Sequence, residues 1–226
     1  MTDRYTRNKE LISAAEQALL HKKTAAVIGL GGLGGHIAEQ LARLGIGRLI
    51  LIDGDNIDQT NLNRQLFATE HTLSKPKTEA ALARITEVNS DIDCIAHQLR
   101  LTADNAPELL KGADIVLDAV DNIPTRLMLE SACEQLNIPL IHGSIGGWWG
   151  QVSVIYPGDK TLTRIYPNPE ATGIEVHYGN PSFTPAVVAS IQVAEALKLL
   201  LNKPQTLRNK LLCIDLLEHE HFVIDV

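Results

Sequence analysis

Cysteine, aromatic side chains and a surplus of positive charge are what this 226-residue chain is short of. Its three cysteines, Cys94, Cys133 and Cys213, are far apart and form no C-x-x-C pair. A cysteine zinc site and a dithiol redox motif are therefore excluded, and reduced, largely buried thiols are expected. Aromatics amount to two Trp, four Tyr and three Phe. Against that scarcity the pair Trp148-Trp149, beside Gly146-Gly147, stands out, one ring as core and the pair as a candidate groove lining. Acidic residues outnumber basic ones, 27 to 20, for a formal charge of -7, which speaks against nucleic acid as main partner. No apolar run approaches the roughly 18 residues of a membrane span, so no membrane partner is expected. The opening MTDRYTRNKE is polar and charged, unlike a signal peptide, and a cytoplasmic address is the expectation.

The pattern that is present reads βαβα. A first helix is expected over Asn8–His21, then a strand over Ala25–Leu30, a helix to about Leu44 closed by Gly45, and a strand over Arg48–Ile52. Pro76 opens a helix in its first turn and runs it to about Asn89. Strands are expected at Ile92–Leu99, Asp114–Ala119 and Pro139–Gly143, with helices at Ala106–Leu110 and Thr125–Leu136. This implies a Rossmann-like α/β fold, a mostly parallel sheet with helices on both faces. The rhythm then changes: a strand over Gly150–Tyr156, a long Pro- and Gly-rich loop, an apolar helix from Pro185 to Leu201, and a C-terminal antiparallel hairpin, Lys210–Leu217 and His221–Val226, joined by Glu218-His219-Glu220.

The chemistry concentrates between Ala26 and Gln65. Gly29, Gly31, Gly32 and Gly34 follow the first strand, and Asp53 ends the second. Such a unit lays a phosphate on a helix N-terminus and a ribose on the carboxylate, and it fits a nicotinamide cofactor as well as ATP. The residues beyond Asp53 favour a triphosphate. Asp55, Asn61, Arg64 and Gln65, with Lys77 further along, supply cations and amides that a hydride-transfer site does not need. Arg64 and Lys77 can neutralise charge as a phosphoryl bond breaks, while Asn61 and Gln65 donate neutral hydrogen bonds. Asp121-Asn122, directly after the buried strand, can face the same phosphates through a magnesium ion, Asn122 reading equally as a helix cap.

With Arg4-Tyr5-x-Arg7-Asn8, GLGGLG, Asp53-x-Asp55, Asn61-x-x-Arg64-Gln65, Lys75-Pro76-Lys77, Asp121-Asn122 with Arg126, and Ile214-Asp215, the sequence resembles the ThiF/MoeB/HesA family, prokaryotic relatives of the ubiquitin-activating enzymes. The resemblance runs through nearly the whole chain and implies a single adenylating domain over 1–226. Its parts would be a helical arm (1–23), a nucleotide-binding part (24–144) and a carrier-binding part (145–226) with a flexible loop at about 157–184. It implies Mg-ATP-dependent adenylation of the C-terminal glycine carboxylate of a ubiquitin-like sulfur carrier of the ThiS/MoaD type ending in Gly-Gly, with release of pyrophosphate. Gly32, Asp53, Asn61, Arg64 and Lys77 would hold the nucleotide, and Asp121 the metal. Arg7 would reach the triphosphate of a second subunit, which implies a homodimer.

Two rivals stay open, a relative adenylating another carboxylate or a tRNA base, and a non-catalytic scaffold that binds nucleotide or carrier. Many family members bind a structural zinc through two C-x-x-C pairs, whereas this chain has Thr163–Pro167 and Glu218–His221 in the corresponding places. No zinc is expected. His219 and His221, with His177 as the loop's candidate partner, read as a polar hairpin end, and adenylation without covalent transfer to a cysteine is what remains.

Overall fold

A computed structural model describes residues 3–171, 173, 178–204 and 206–226. Its eight strands form one sheet in the order β3-β2-β1-β4-β5-β6-β7-β8. The first five in sequence, β1 (Thr24–Ile28), β2 (Arg48–Ile52), β3 (Asp93–His97), β4 (Ile115–Asp118) and β5 (Leu140–Gly146), pair in parallel. β6 (Trp149–Ile155), β7 (Lys210–Asp215) and β8 (Glu220–Asp225) continue the sheet antiparallel. The expected α/β class with a C-terminal antiparallel extension is what the chain adopts.

Alternation along the strands sorts their side chains into two cores. Ala25, Val27, Leu49, Leu51, Ile115 and Leu117 face α2 (Gly32–Leu44), α3 (Lys77–Val88) and α7 (Phe183–Leu200). Ala26, Ile28, Ile50, Ile52 and Val116 face α4 (Ala106–Leu109), α5 (Ile123–Leu136) and α6 (Thr161–Ile165). Strands buried on both faces need continuous apolar runs, which is how β1, β2 and β4 read.

Helix α7 is long and apolar enough by composition to cross a membrane, contrary to the expectation that no stretch approaches that length. Here it packs on α2, β5 and β6. A Cβ at Gly150 would stand 2.2 Å from Val188 Cγ2, so α7 sits closer to the sheet than a side chain there would allow. That close seat accounts for an apolar circumference in a packed domain.

Several boundaries differ from expectation. Residues 8–21 are not one helix: a 3-10 turn over Asp3–Asn8 is followed by α1 (Ala14–Leu20). Ser13 and Glu16 form a reciprocal capping box that restarts the chain as a helix, leaving Leu11 exposed. Pro76 is the residue before α3 rather than inside its first turn. α5 begins two residues early, because the Asn122 side chain accepts the Thr125 N–H and so caps it. The loop expected at 157–184 contains α6; residues 172 and 174–177, including His177, lie outside those described. In the hairpin, Glu220 belongs to β8 and His219 sits in the turn at φ 59°, so His219 and His221 do not share a strand face.

Candidate active site

In a sheet ordered 3-2-1-4-5 the connections from β1 and β4 leave in opposite directions, opening a crevice at their C-terminal ends. A cavity of about 350 Å³ occupies that place. Its wall is the glycine turn. Gly29 has φ 89°, and a Cβ on it would lie 2.6 Å from the Ala119 carbonyl oxygen; a Cβ on Gly34 would lie 1.8 Å from the Gly29 oxygen. The turn can therefore fold against β4 and hand its N–H groups to α2 only with glycine at both positions. Gly29, Gly31 and Gly32 line the cavity, whereas Gly34 does not, so its part is packing.

Asp53 closes β2 and organises the floor. Its Oδ2 accepts the Leu30 N–H at 2.7 Å and its Oδ1 the Asp55 N–H at 2.8 Å. Each oxygen keeps capacity for a second hydrogen bond, as a ribose diol requires. Lys77, nearly buried at the start of α3, places Nζ 3.1 Å from Asp55 Oδ2 and 3.7 Å from Asp53 Oδ2. Asp55 also meets Arg100 Nη2 at 3.3 Å. Burial alone would raise the Asp55 pKa, but the bond and charge of Lys77, with Arg100 beside it, hold it below the ordinary carboxylate value. Arg64 reaches the cavity from the polar segment after β2, its Nη1 held by Thr60 O and Asn63 Oδ1 at 3.1 and 2.9 Å. Gln65, buried, lines it too.

Asp121 and Asn122 stand at the opposite lip, exposed, with Asn122 Nδ2 3.2 Å from Asp121 Oδ1. The structure thus brings Gly29, Gly31, Gly32, Asp53, Asp55, Arg64, Gln65, Lys77, Asp121 and Asn122 around one space. It does not bring Asn61 there: the Asn61 carboxamide oxygen accepts the Asp58 N–H at 3.0 Å in a reciprocal cap. Local capping of this kind competes for amide side chains near turns. Arg7 is exposed in the N-terminal 3-10 turn and is not among the lining residues.

Residues without a motif complete the cavity. Leu99, Arg100 and Leu101 after β3 add an apolar edge and a cation, and Thr125, Arg126, Ile145 and Asn180 add the far end. Arg126 belonged to the family motif, but its place in the wall was not expected; Arg100 had no signal beyond lying just past a strand end.

Around the expected metal residue, the donor set suits a cation that arrives with its nucleotide. Among the described residues no group of three or more His, Cys, Asp or Glu side chains is placed to hold a metal. Magnesium is commonly held by one or two carboxylates together with substrate phosphates and waters, a role Asp121 fits because it faces the cavity without an ion-pair partner among the salt bridges of the described residues. The cysteines stand apart from the cavity. Burial pushes Cys133 up to about 12 and Cys94 up to about 11, and raises Cys213, so none is poised as a thiolate. Trp148 is 41% exposed with its ring 4.5 Å from that of Phe183, so it is not core. Trp149 donates Nε1–H to Asp215 at 2.8 Å.

The sequence model of the ThiF family matches residues 5–225. The chain belongs to the ThiF family. It is 35% identical over 227 residues to a sulfur carrier protein adenylyltransferase of Thermus thermophilus, covering 96% of this chain and 84% of that one. It is 32% identical over 221 residues to the SAMP-activating enzyme E1 of Haloferax volcanii, covering 96% and 82%. With the adenylyltransferase and sulfurtransferase MOCS3 of Aedes aegypti it shares 36% identity over 218 residues; the chain spans half of that relative's length. Among solved structures, Escherichia coli MccB with ATP superposes with a TM-score of 0.80 at 25% identity, covering 100% of this chain and 72% of that one. PaaA superposes at 0.83 with 21% identity, covering 99% and 82%, a likeness of fold. The enzyme class read from the sequence is the one that two of the relatives carry in their names.

Proposed function

We propose that this adenylyltransferase of the ThiF family uses Mg-ATP to activate the C-terminal glycine carboxylate of a ubiquitin-like sulfur carrier of the ThiS/MoaD type, releasing pyrophosphate. The observation that carries the reading is the convergence of Arg64, Lys77 and Asp121 on one cavity whose other walls are a glycine turn and a strand-end carboxylate. A carboxylate is a poor electrophile until its oxygen becomes a good leaving group, and transfer of an adenylyl group makes it one. Asp53 holds the ribose, the α2 N-terminus and Arg64 take phosphate oxygens, and Lys77 stabilises the charge that develops toward pyrophosphate. Magnesium, when bound with the nucleotide at Asp121, supplies charge neutralisation at the phosphates. Asn61 supports the loop that carries Arg64 rather than touching the nucleotide.

An exposed Arg7 that is not among this cavity's lining residues fits a homodimer in which each subunit lends Arg7 to its partner's triphosphate. The raised cysteines fit adenylation without a covalent thioester step, and the absence of C-x-x-C pairs fits operation without zinc. The protein acts in the cytoplasm, away from membranes and nucleic acid.

Incubation of a small carrier ending in Gly-Gly with the enzyme and Mg-ATP, read by intact mass, is expected to add one AMP to the carrier. Carrier-independent pyrophosphate exchange would instead favour another carboxylate or a tRNA base. Failure to exchange pyrophosphate with every carrier tried would favour a scaffold. Asp121→Ala is expected to abolish exchange while the fold persists, and near-normal exchange would remove Asp121 from the mechanism. Mixing Arg7→Ala with Asp121→Ala protein is expected to restore part of the activity if subunits exchange; no recovery despite proven exchange would count against the shared site.

A further inference from the structure

Beneath the Asp121 lip runs a buried polar chain that the proposed chemistry does not use. Its centre is His142 on β5, with no exposed surface. Burial lowers the His142 pKa, and this outweighs the opposing pull of Asp118, so the imidazole is neutral and carries one proton. Nδ1 lies 2.7 Å from Asp118 Oδ2. A carboxylate only accepts, so the proton sits on Nδ1. Nε2 is then an acceptor, 3.1 Å from the Tyr166 hydroxyl and 3.2 Å from Gln151 Nε2.

The other end of the chain reaches backbone. Asp118 Oδ1 accepts the Val120 N–H at 3.1 Å. Arg126, buried, donates Nη2–H to the Val120 carbonyl at 2.8 Å, and its Nε stands 3.6 Å from Asp118 Oδ2. Arg126 Nε has no hydrogen-bond partner among the described residues, so Asp118 meets that side of the guanidinium by charge alone. Both polar groups of the Val120 backbone are therefore held by side chains of one network. Val120 lies past the end of β4, where no strand ladder satisfies it, and directly before Asp121.

We propose that His142 is a positioning residue: by donating to Asp118 it fixes the carboxylate that, with Arg126, holds the Val120 backbone and so aims Asp121 into the cavity. The inference rests on the proposed role of Asp121 at the nucleotide. Asp118 has two faces to satisfy, and without the Nδ1 proton it is free to turn toward Arg126 Nε and release Val120 N–H. An error of about an ångström in a catalytic group is enough to cost up to about a hundredfold in rate.

Three variants separate the donor from the ring. His142→Phe keeps the ring and removes both nitrogens, His142→Asn returns a donor near the Nδ1 position, and His142→Gln returns one near Nε2. In carrier-dependent pyrophosphate exchange, His142→Phe is expected to lose about tenfold or more in kcat with the ATP KM within about twofold, and His142→Asn to recover most of it. Amide hydrogen exchange at Val120, read without substrate, is expected to speed up in His142→Phe and not in His142→Asn. A His142→Phe enzyme with unchanged kcat and unchanged Val120 protection would overturn the proposal, as would His142→Asn no better than His142→Phe. Should His142→Phe fail to fold, the other pair decides: His142→Asn above His142→Gln supports the Nδ1 donor, and equality or the reverse order overturns it. Full exchange by Asp121→Ala would discard the role of Asp121 and leave the Val120 protection result standing by itself.

Discussion

The middle of the sheet and its C-terminal edge are built on opposite terms. β4 is buried at every position, while every residue of β8 is exposed, including Phe222, Val223 and Ile224 at 50, 51 and 45%. Each carries a run of three apolar residues, Ile115–Leu117 and Phe222–Ile224, so that run by itself does not separate them. What separates them is cover: β4 lies between α7 on one face and α5 on the other, and β8 extends past the last helix. The buried strand can aim side chains with little freedom, and the proposed catalytic carboxylate, Asp121, follows just past its end. The exposed strand β8 contributes no buried side chain, and the hairpin's core residues, Leu211 and Ile214, come from β7.

That contrast can be broken by substitution, beginning with the largest effect. Leu117→Ala in β4 removes a fully buried side chain and is expected to cost about 2–5 kcal/mol, read from urea midpoints. A cost under about 1 kcal/mol would mean that the centre of the sheet is no better packed than its edge. Next comes Lys77→Met, which removes the cation that Asp53 and Asp55 share and leaves Asp55 with Arg100. Adenylation is expected to fall about a hundredfold, near 2.7 kcal/mol in the barrier, measured by pyrophosphate exchange at saturating ATP.

A smaller, pH-dependent effect belongs to Glu39, which links α2 to α3. It accepts from Arg43 Nη2 at 2.6 Å and Arg84 Nε at 2.8 Å. Burial would raise its pKa, but these two guanidinium groups hold it below the ordinary 4.5. A depressed carboxylate stabilises the fold above its unfolded value and loses that contribution as pH falls through the folded value. Glu39→Gln is therefore expected to be less stable at neutral pH and to lose stability less steeply below about pH 4, by unfolding at several pH values. An unchanged slope would show that the two arginines do not bind the carboxylate in solution. The smallest effect is expected at the edge, where Ile224→Ala should change stability by no more than about 0.5 kcal/mol in the same urea measurement.

Much of the nucleotide side was legible because its rules are local. Glycine spacing after an apolar run dictates the β1 turn, and Asp53 follows from where β2 must end. Arg64, Gln65 and Lys77 were readable as a cluster because cations and amides gathered after a nucleotide-binding turn suit a triphosphate. Asn61 looked the same in sequence, yet the neighbouring Asp58 N–H takes its carboxamide oxygen. Arg100 carried no motif, since its place depends on the length of the link after β3. The Asp118–His142 pair was illegible for a different reason: Asp118 looked like one more residue of a buried strand, and the partner lies 24 positions away.

By itself, then, the sequence determined the order of helices and strands, the glycine turn, and a set of charged residues suited to a triphosphate. These follow from propensity, periodicity and chemistry that act within a few residues. Tertiary structure alone decided which of those residues share a cavity, and that the backbone before Asp121 is held by Asp118 and Arg126. Strand pairing brings such groups together across the sheet, and burial removes the water that would otherwise compete for their hydrogen bonds.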